Sequence, residues 1–114
     1  MTDGYIKLWR KIMDTGYYKK SEYIHLWIHL LLKANHKGTK VIFCGKEMVI
    51  NPGQFLTGRK KLSEETGIKQ GTVENILKLL EIEQQIEQQK YNLFRLITIL
   101  NYYQYQNIDN NIDN

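Results

Sequence analysis

The rest of the chain is arranged around residues 61–80, KLSEETGIKQGTVENILKLL. The pattern of this stretch predicts two short helices that meet at Gly67, because glycine readily adopts the left-handed conformation that ends a helix. Ile68 follows and is expected to fill the angle between the helices. Apolar residues of the second helix recur at spacings of three and four, which gives that helix one buried face. These residues are Val73, Ile76, Leu77 and Leu80. The stretch therefore predicts a helix-turn-helix unit.

The residues on either side of this unit predict a small sheet. Residues 86–89 and 93–100 predict two strands, the second of them rich in strand formers, and Asn92 between them favours a turn. Upstream, residues 54–57 predict a short strand that can pair with this hairpin. A hairpin directly after the second helix is the arrangement of a winged helix. The predicted fold class is therefore α+β, a winged helix-turn-helix.

The chain before this unit predicts two additional helices and a second hairpin. The first helix is expected over residues 5–13, and Ser21 is expected to cap another that runs to about Asn35. The wide apolar stripe of that second helix places it at the centre of the core. Residues 40–43 and 47–50 predict a β-hairpin that a minimal winged helix lacks. Composition assigns this inserted hairpin no role.

Length and composition indicate one domain. The chain has 114 residues, of which 42% are hydrophobic, enough for one modest core. We expect a domain over residues 1–106 and a polar linker or tail over 107–114, which hints at a longer protein. No apolar run approaches the ~20 residues of a membrane span, so the expected location is cytoplasmic, without membrane contact. The single cysteine, Cys44, excludes an internal disulfide and is expected to be a small packing residue.

Neither an enzyme nor a bound cofactor or metal is predicted. Phosphate-binding glycine loops, nucleophile motifs and metal-ligand clusters do not occur in the sequence. His25 and His29 stand four residues apart, with His36 further on, which is a spacing that can bind a metal. No carboxylate or cysteine accompanies them at matching spacing, so a half-exposed polar stripe is the favoured interpretation.

The second helix and its surroundings supply the residues expected to contact DNA. Gln70 and Asn75 can each pair with adenine through two hydrogen bonds. Thr72 can contact a thymine methyl group or a phosphate, and Glu74 can accept a hydrogen bond from cytosine. Asn92, at the turn of the hairpin, completes the set. The expected phosphate contacts are the nearby basic residues Arg59, Lys60, Lys61, Lys69, Lys78, Lys90 and Arg95.

The distribution of charge argues partly against this interpretation. Residues 1–61 hold twelve of the sixteen Lys and Arg and four of the twelve acids, a net charge of +8. Residues 62–114 hold the remaining four bases and eight acids, a net charge of −4. Basicity therefore lies before the second helix, and an outward-pointing Glu74 would repel phosphate. A module that packs or dimerises without binding DNA remains an alternative.

Nearly the whole chain, residues 4–106, resembles the amino-terminal winged-helix domain of phage and plasmid replication-initiation proteins from Gram-positive hosts, the replisome-organiser and DnaD-like group. The resemblance lies in four blocks: GYIKLWRKIMD at 4–14, LWIHLLLKANHK at 26–37, NPGQFLTGRKKLSEETGI at 51–68 and LITILNYYQYQ at 96–106. The chain departs from many helix-turn-helix regulators at Glu74, where a base is frequent, and at Lys69, where serine is frequent.

The resemblance implies a domain that recognises or organises a replication origin. Its implied partner is double-stranded DNA, and self-association as a homo-oligomer is compatible with it. Longer relatives contact helicase or helicase loader through a following region, which this chain lacks. Two alternatives remain: a winged-helix transcriptional regulator that uses the same surface, and a protein-interaction or oligomerisation module without DNA binding.

Overall fold

The computed structural model describes residues 4–43 and 45–106. A 3₁₀ helix, Arg10–Asp14, precedes the α-helices α1 (Ser21–Lys33), α2 (Arg59–Thr66), α3 (Gln70–Ile82) and α4 (Tyr102–Gln106). The strands are β1 (Thr39–Phe43), β2 (Lys46–Ile50), β3 (Gln54–Thr57), β4 (Ile86–Lys90) and β5 (Arg95–Ile99). No helix within these residues combines the length and apolarity needed to cross a membrane. The expectations for Cys44 and for residues 107–114 lie outside the described residues.

The strands form two separate antiparallel sheets, which confirms the α+β class. Strands β1 and β2 pair only with each other and form the inserted hairpin that was predicted. Strand β5 lies between β3 and β4, so the short strand before α2 does pair with the later hairpin. Phe55 of β3 stands opposite Ile97 of β5, and both are buried.

The core lies between α1, α3 and the three-stranded sheet. Leu26 and Leu30 of α1, Leu77 of α3 and Ile97 of β5 are completely buried. Burying an aliphatic side chain of this size contributes about 1.5–3 kcal/mol, so these four residues are major contributors to folding. The predicted wide stripe of α1 is confirmed, because five of its thirteen residues are buried.

The turn between α2 and α3 has the predicted conformation. Gly67 ends α2 with φ of +81°, in the left-handed region, and its N–H donates to the carbonyl of Ser63 at 2.8 Å. Ile68 is 2% exposed and packs into the core between the helices. Thr66 supports the turn, because its hydroxyl accepts a hydrogen bond from the Ile68 N–H at 3.1 Å. These contacts fix the angle at which α3 leaves α2.

Gly53 lets the chain before β3 pack closely against Tyr102 of α4. Its φ is +85°, and a Cβ added there would lie 2.8 Å from the Cβ of Tyr102. Its N–H donates to the carbonyl of Asn35, and its carbonyl accepts from the N–H of Ile99, both at 2.8 Å. Tyr102 is only 4% exposed, so this tyrosine covers the core.

The helix predicted over residues 5–13 is wrong, since only the 3₁₀ helix Arg10–Asp14 forms there. The reason is a contact with the other end of the chain. The N–H of Lys7 donates to Oε1 of Gln106 at 2.8 Å, and the carbonyl of Lys7 accepts from Nε2 of Gln106 at 3.2 Å. The backbone N–H and carbonyl of Lys7 thus form their hydrogen bonds with a side chain 99 residues away. They do not form the hydrogen bonds of a helix.

Three predicted boundaries also differ from the structure. Ser21 is the first residue of α1, and the N-cap is Lys20, which makes no capping side-chain bond. The helix ends at Lys33, because the N–H of Asn35 donates to the carbonyl of Gln54 at 3.1 Å and joins the start of β3. Strand β5 begins at Arg95 because residues 91–94 form a turn, closed by a bond of 2.8 Å between the Tyr91 N–H and the Phe94 carbonyl.

Candidate nucleic-acid interface

Helix α3 presents one buried face and one outward face. Its buried residues are those that the sequence predicted, Val73, Ile76, Leu77 and Leu80. On the opposite side, spacings of four, three and four place four exposed residues in one row. This row, the outward face, consists of Gly71, Asn75, Lys78 and Ile82. It contains no acid and one cation.

The acids of α3 lie on a different edge, which faces the hairpin β4–β5. Glu74 Oε1 accepts from Nη2 of Arg95 at 3.1 Å, and its Oε2 accepts from Nζ of Lys90 at 3.3 Å. Seven residues on, Glu81 Oε1 accepts from Nε2 of Gln88 at 3.1 Å. Gln88 Oε1 in turn accepts from Nη1 of Arg95 at 2.7 Å. We call these five side chains the acid network, and their side of the helix the hairpin-facing edge.

The charge of Glu74 is neutralised inside the protein. Its side chain is 14% exposed and that of Arg95 is 13% exposed. Burial alone would raise the pKa of the Glu74 carboxyl, but the hydrogen bonds and charges of Arg95 and Lys90 outweigh burial and hold the pKa below its ordinary value. Glu74 therefore stays ionised at neutral pH, next to two cations. The repulsion of phosphate expected from a lone acid on this helix is offset.

The amino termini of α2 and α3 are suited to bind anions. Neither N-cap residue, Gly58 of α2 or Lys69 of α3, makes a capping bond through a side chain. The first amides of each helix therefore lack the usual side-chain acceptor, and the helix dipole adds positive potential. Exposed cations lie at the amino termini of both helices, namely Arg59, Lys60, Lys61 and Lys69. Phosphate groups are favourable ligands for such a surface.

Most of the twelve residues predicted to contact DNA are at the surface. Nine of them are exposed, namely Arg59, Lys60, Lys61, Lys69, Gln70, Asn75, Lys78, Lys90 and Asn92. Thr72 is half-buried at the flank of the outward face. Glu74, Lys90 and Arg95 belong to the acid network, so a DNA contact by any of these three would have to break or share an internal bond.

The tip of the hairpin β4–β5 is apolar, which the sequence analysis missed because it assigned Leu93 to a strand. Leu93 is 79% exposed. The ring of Tyr91 stacks on that of Phe94 at a centroid distance of 4.6 Å. Hairpin turns usually favour Gly, Asn, Asp or Ser, so three large apolar side chains in one turn are unusual. The tip offers apolar contact and the amide of Asn92, while the hairpin's cations lie in the acid network.

His29 of α1 has a structural partner on α2. His29 Nε2 lies 2.8 Å from Oε1 of Glu65, and Nζ of Lys33 donates to the other oxygen of Glu65 at 3.2 Å. Burial would raise the pKa of Glu65, but the bonds from His29 and Lys33 outweigh it and lower the pKa. This contact joins α1 to α2. Among residues 4–43 and 45–106, no three His, Cys, Asp or Glu side chains converge as a metal site would require.

Sequence reasoning missed the acid network, although one signal of it was present. Glu74 and Glu81 are seven residues apart, a spacing that puts both on one edge of a helix. That spacing does not tell which strand lies opposite, because the partners Gln88 and Arg95 depend on how the hairpin packs on α3. The network is therefore visible only in three dimensions.

Comparisons of the chain with models of known protein families, with curated protein sequences and with solved structures give no match.

Proposed function

We propose that this chain is a winged-helix DNA-binding domain of a replication-initiation protein from a phage or another mobile element. In this proposal α2 and α3 are the helix-turn-helix, the hairpin β4–β5 is the wing, and the outward face of α3 enters the major groove of duplex DNA. One observation carries the proposal: both acids of α3, Glu74 and Glu81, are bound by the hairpin. The outward face of α3 that is left to DNA contains no acid and one cation, Lys78.

The amino-terminal half of α3 supplies the base contacts. Recognition helices commonly touch base edges with their first residues, and here Gln70 and Asn75 are exposed in that part of the helix. Each amide can pair with adenine through two hydrogen bonds. Gly71 lies in the same row of α3 as Asn75, and a Cβ added there would meet no protein atom within 4 Å. Packing does not require a glycine at this position, whereas close approach of a DNA strand would favour one.

The amino termini of the two helices supply the phosphate contacts. Arg59, Lys60, Lys61 and Lys69 are exposed beside amides that lack a side-chain cap. If all four neutralise phosphates, the logarithm of the binding constant falls with the logarithm of salt concentration at a slope of roughly −3.6. Electrostatic binding of this size supports affinity for any duplex, and the bases then select among sequences.

The assignment to replication, as distinct from transcription, rests on the resemblance of the amino-terminal blocks, which a shared helix-turn-helix does not explain. It is tested by a hydroxyl-radical footprint on DNA from the protein's own replicon. We expect protection within the origin fragment. Protection confined to a promoter fragment would favour the transcriptional regulator, and failure to bind any duplex at low salt would leave the protein-interaction module. The proposal assigns no helicase or loader contact to this domain.

A further inference from the structure

The amino-terminal segment, residues 4–20, is strongly basic. It contains one acid, Asp14, and five basic residues, all of them exposed: Lys7, Arg10, Lys11, Lys19 and Lys20. None of the five forms an ion pair with a carboxylate of the described residues. The proposed duplex interface uses none of them, so this charge is unassigned.

The same segment carries exposed aromatic rings. Tyr5 is 82% exposed, and Trp9 and Tyr18 are each 45% exposed. Leu8 and Met13 are also exposed, so the segment holds five of the twelve large apolar side chains exposed among the described residues. Cations and rings are interspersed along it.

Contacts with the core hold this segment in place. The ring of Tyr17 stacks on Tyr23 at 4.6 Å, and its hydroxyl donates to Glu83 at 2.9 Å. The backbone of Lys7 is bonded to the buried side chain of Gln106. A cleft of about 220 Å³ lies between the segment and the core. Its lining includes Lys7, Trp9, Lys11, Tyr17, Tyr23 and Trp27.

The segment lies far from the base-contacting end of α3. Glu83, which binds Tyr17, directly follows the last residue of α3. A helix of 13 residues is about 20 Å long, so Gln70 stands roughly that far from this contact. The segment is therefore a second surface, separate from the duplex interface.

We propose that residues 4–20 form a binding site for unpaired nucleic-acid strands, with bases stacked on Tyr5, Trp9 and Tyr18 and phosphates neutralised by the five cations. Stacking platforms beside positive charge are the general means of binding single strands. A duplex hides its base faces inside the stack and would leave the rings unused. An acidic peptide would engage the cations alone. Surface-bound membrane anchors are usually amphipathic helices, and this segment forms only a five-residue 3₁₀ helix.

Trp9 provides a direct measurement, because the other tryptophan, Trp27, is only 8% exposed. We expect an oligothymidylate of about 12 nucleotides, within the usual range of site sizes, to quench the fluorescence of the full chain. Loss of one stacking ring weakens such binding roughly 5- to 150-fold. A fluorescein-labelled oligothymidylate should show this loss for Trp9→Ala, and also for Tyr5→Ala, whose side chain is too exposed for folding to depend on it.

The charge contribution is tested with matched double variants. Lys7→Ala with Lys11→Ala should reduce the salt slope of oligothymidylate binding by about 1.4, because each phosphate contact with a single strand contributes about 0.7. Lys37→Ala with Lys46→Ala removes the same charge from exposed positions outside the segment and should leave the slope unchanged. Duplex affinity should be retained in both double variants.

Three results would overturn the inference. The first is an absence of oligothymidylate binding at low salt. The second is binding that Lys60→Ala with Lys61→Ala abolishes while the segment variants do not, which would place single strands on the duplex interface. The third is that Trp9→Ala changes only the oligomeric mass, or only binding to anionic phospholipid vesicles. Duplex binding is measured separately, so failure here is distinguishable from failure of the proposed function.

Discussion

The hairpin-facing edge and the outward face of α3 lie on one helix of 13 residues but differ in charge and in partners. On the edge, Glu74 and Glu81 are bound by side chains of the hairpin. On the outward face, Gly71, Asn75 and Lys78 are exposed. The net charge of the second half of the chain therefore does not describe the surface that α3 presents. We expect substitutions on the edge to change stability, and substitutions on the outward face to change DNA affinity.

The largest effect on stability is expected from Glu74→Ala. The substitution leaves Arg95 and Lys90 side by side without their shared acceptor, and loss of such a partner costs about 1–3 kcal/mol of unfolding free energy. Urea denaturation measures it. Glu64→Ala removes the same charge from an exposed position on α2 and should change stability by less than about 0.5 kcal/mol. Equal losses in the two variants would contradict a supporting role for the acid network.

Asn75→Ala, unlike Glu74→Ala, should change DNA affinity and not stability. We expect it to lower affinity by about 1–3 kcal/mol for duplexes that carry one particular base pair, with stability changed by less than about 0.5 kcal/mol. Competition binding with duplexes substituted one base pair at a time measures this, and Gln70→Ala should behave alike at a different position. A loss of affinity that is the same for every duplex would place these amides away from the bases.

Low pH should weaken the contacts that Glu74 makes on the hairpin-facing edge. The pKa of Glu74 is lowered in the folded protein from an ordinary value of 4.5, so its contribution to stability is complete above that value and is lost as pH falls through the lowered one. Unfolding free energy should therefore decrease below about pH 4.5, and Glu74→Gln should make the decrease shallower. Glu65, whose pKa is also lowered, accounts for a remaining decrease. Asn75→Ala should follow the wild-type profile; an unchanged profile in Glu74→Gln would contradict the assignment.

A modest gain in stability is expected from Gly71→Ala. Its Cβ would meet no protein atom within 4 Å, and such a replacement stabilises by roughly 0.4–1 kcal/mol. Duplex affinity should fall because the methyl group occupies the point of close approach. Thermal unfolding and duplex titration measure the two effects. Gly67→Ala is the contrasting control, since φ of +81° makes it destabilising. Unchanged affinity in Gly71→Ala would remove this residue from the interface.

The parts of the fold that depend on local patterns could be predicted from the sequence. Gly67 and the apolar spacing of α3 predict the turn and the buried face, because glycine conformation and helical period act over a few residues. The hairpins follow from strand formers and turn residues, whose preferences also act over a few residues. The helix expected over residues 5–13 failed because Gln106 satisfies the backbone there, and no local pattern records a partner 99 residues away.

The candidate site could be predicted only in part. Exposure of Gln70 and Asn75 follows from the helical period. The pairing of Glu74 with Arg95 does not, because it depends on the position of the hairpin relative to α3. Hydrophobic periodicity also does not reveal that Leu93 lies at an exposed tip, since a leucine among strand formers favours a longer strand. Long-range packing decided both features.

Titration of a labelled duplex at two salt concentrations, with the wild-type chain and with the double variant Lys60→Ala, Lys61→Ala, measures whether α2 and α3 bind DNA. We expect binding at low salt that weakens as salt rises, and a salt slope reduced by about 1.8 in the variant, because each phosphate contact contributes about 0.9. If the wild-type chain failed to bind duplex at low salt, or if the variant kept the same slope, the proposed interface on α2 and α3 would be contradicted.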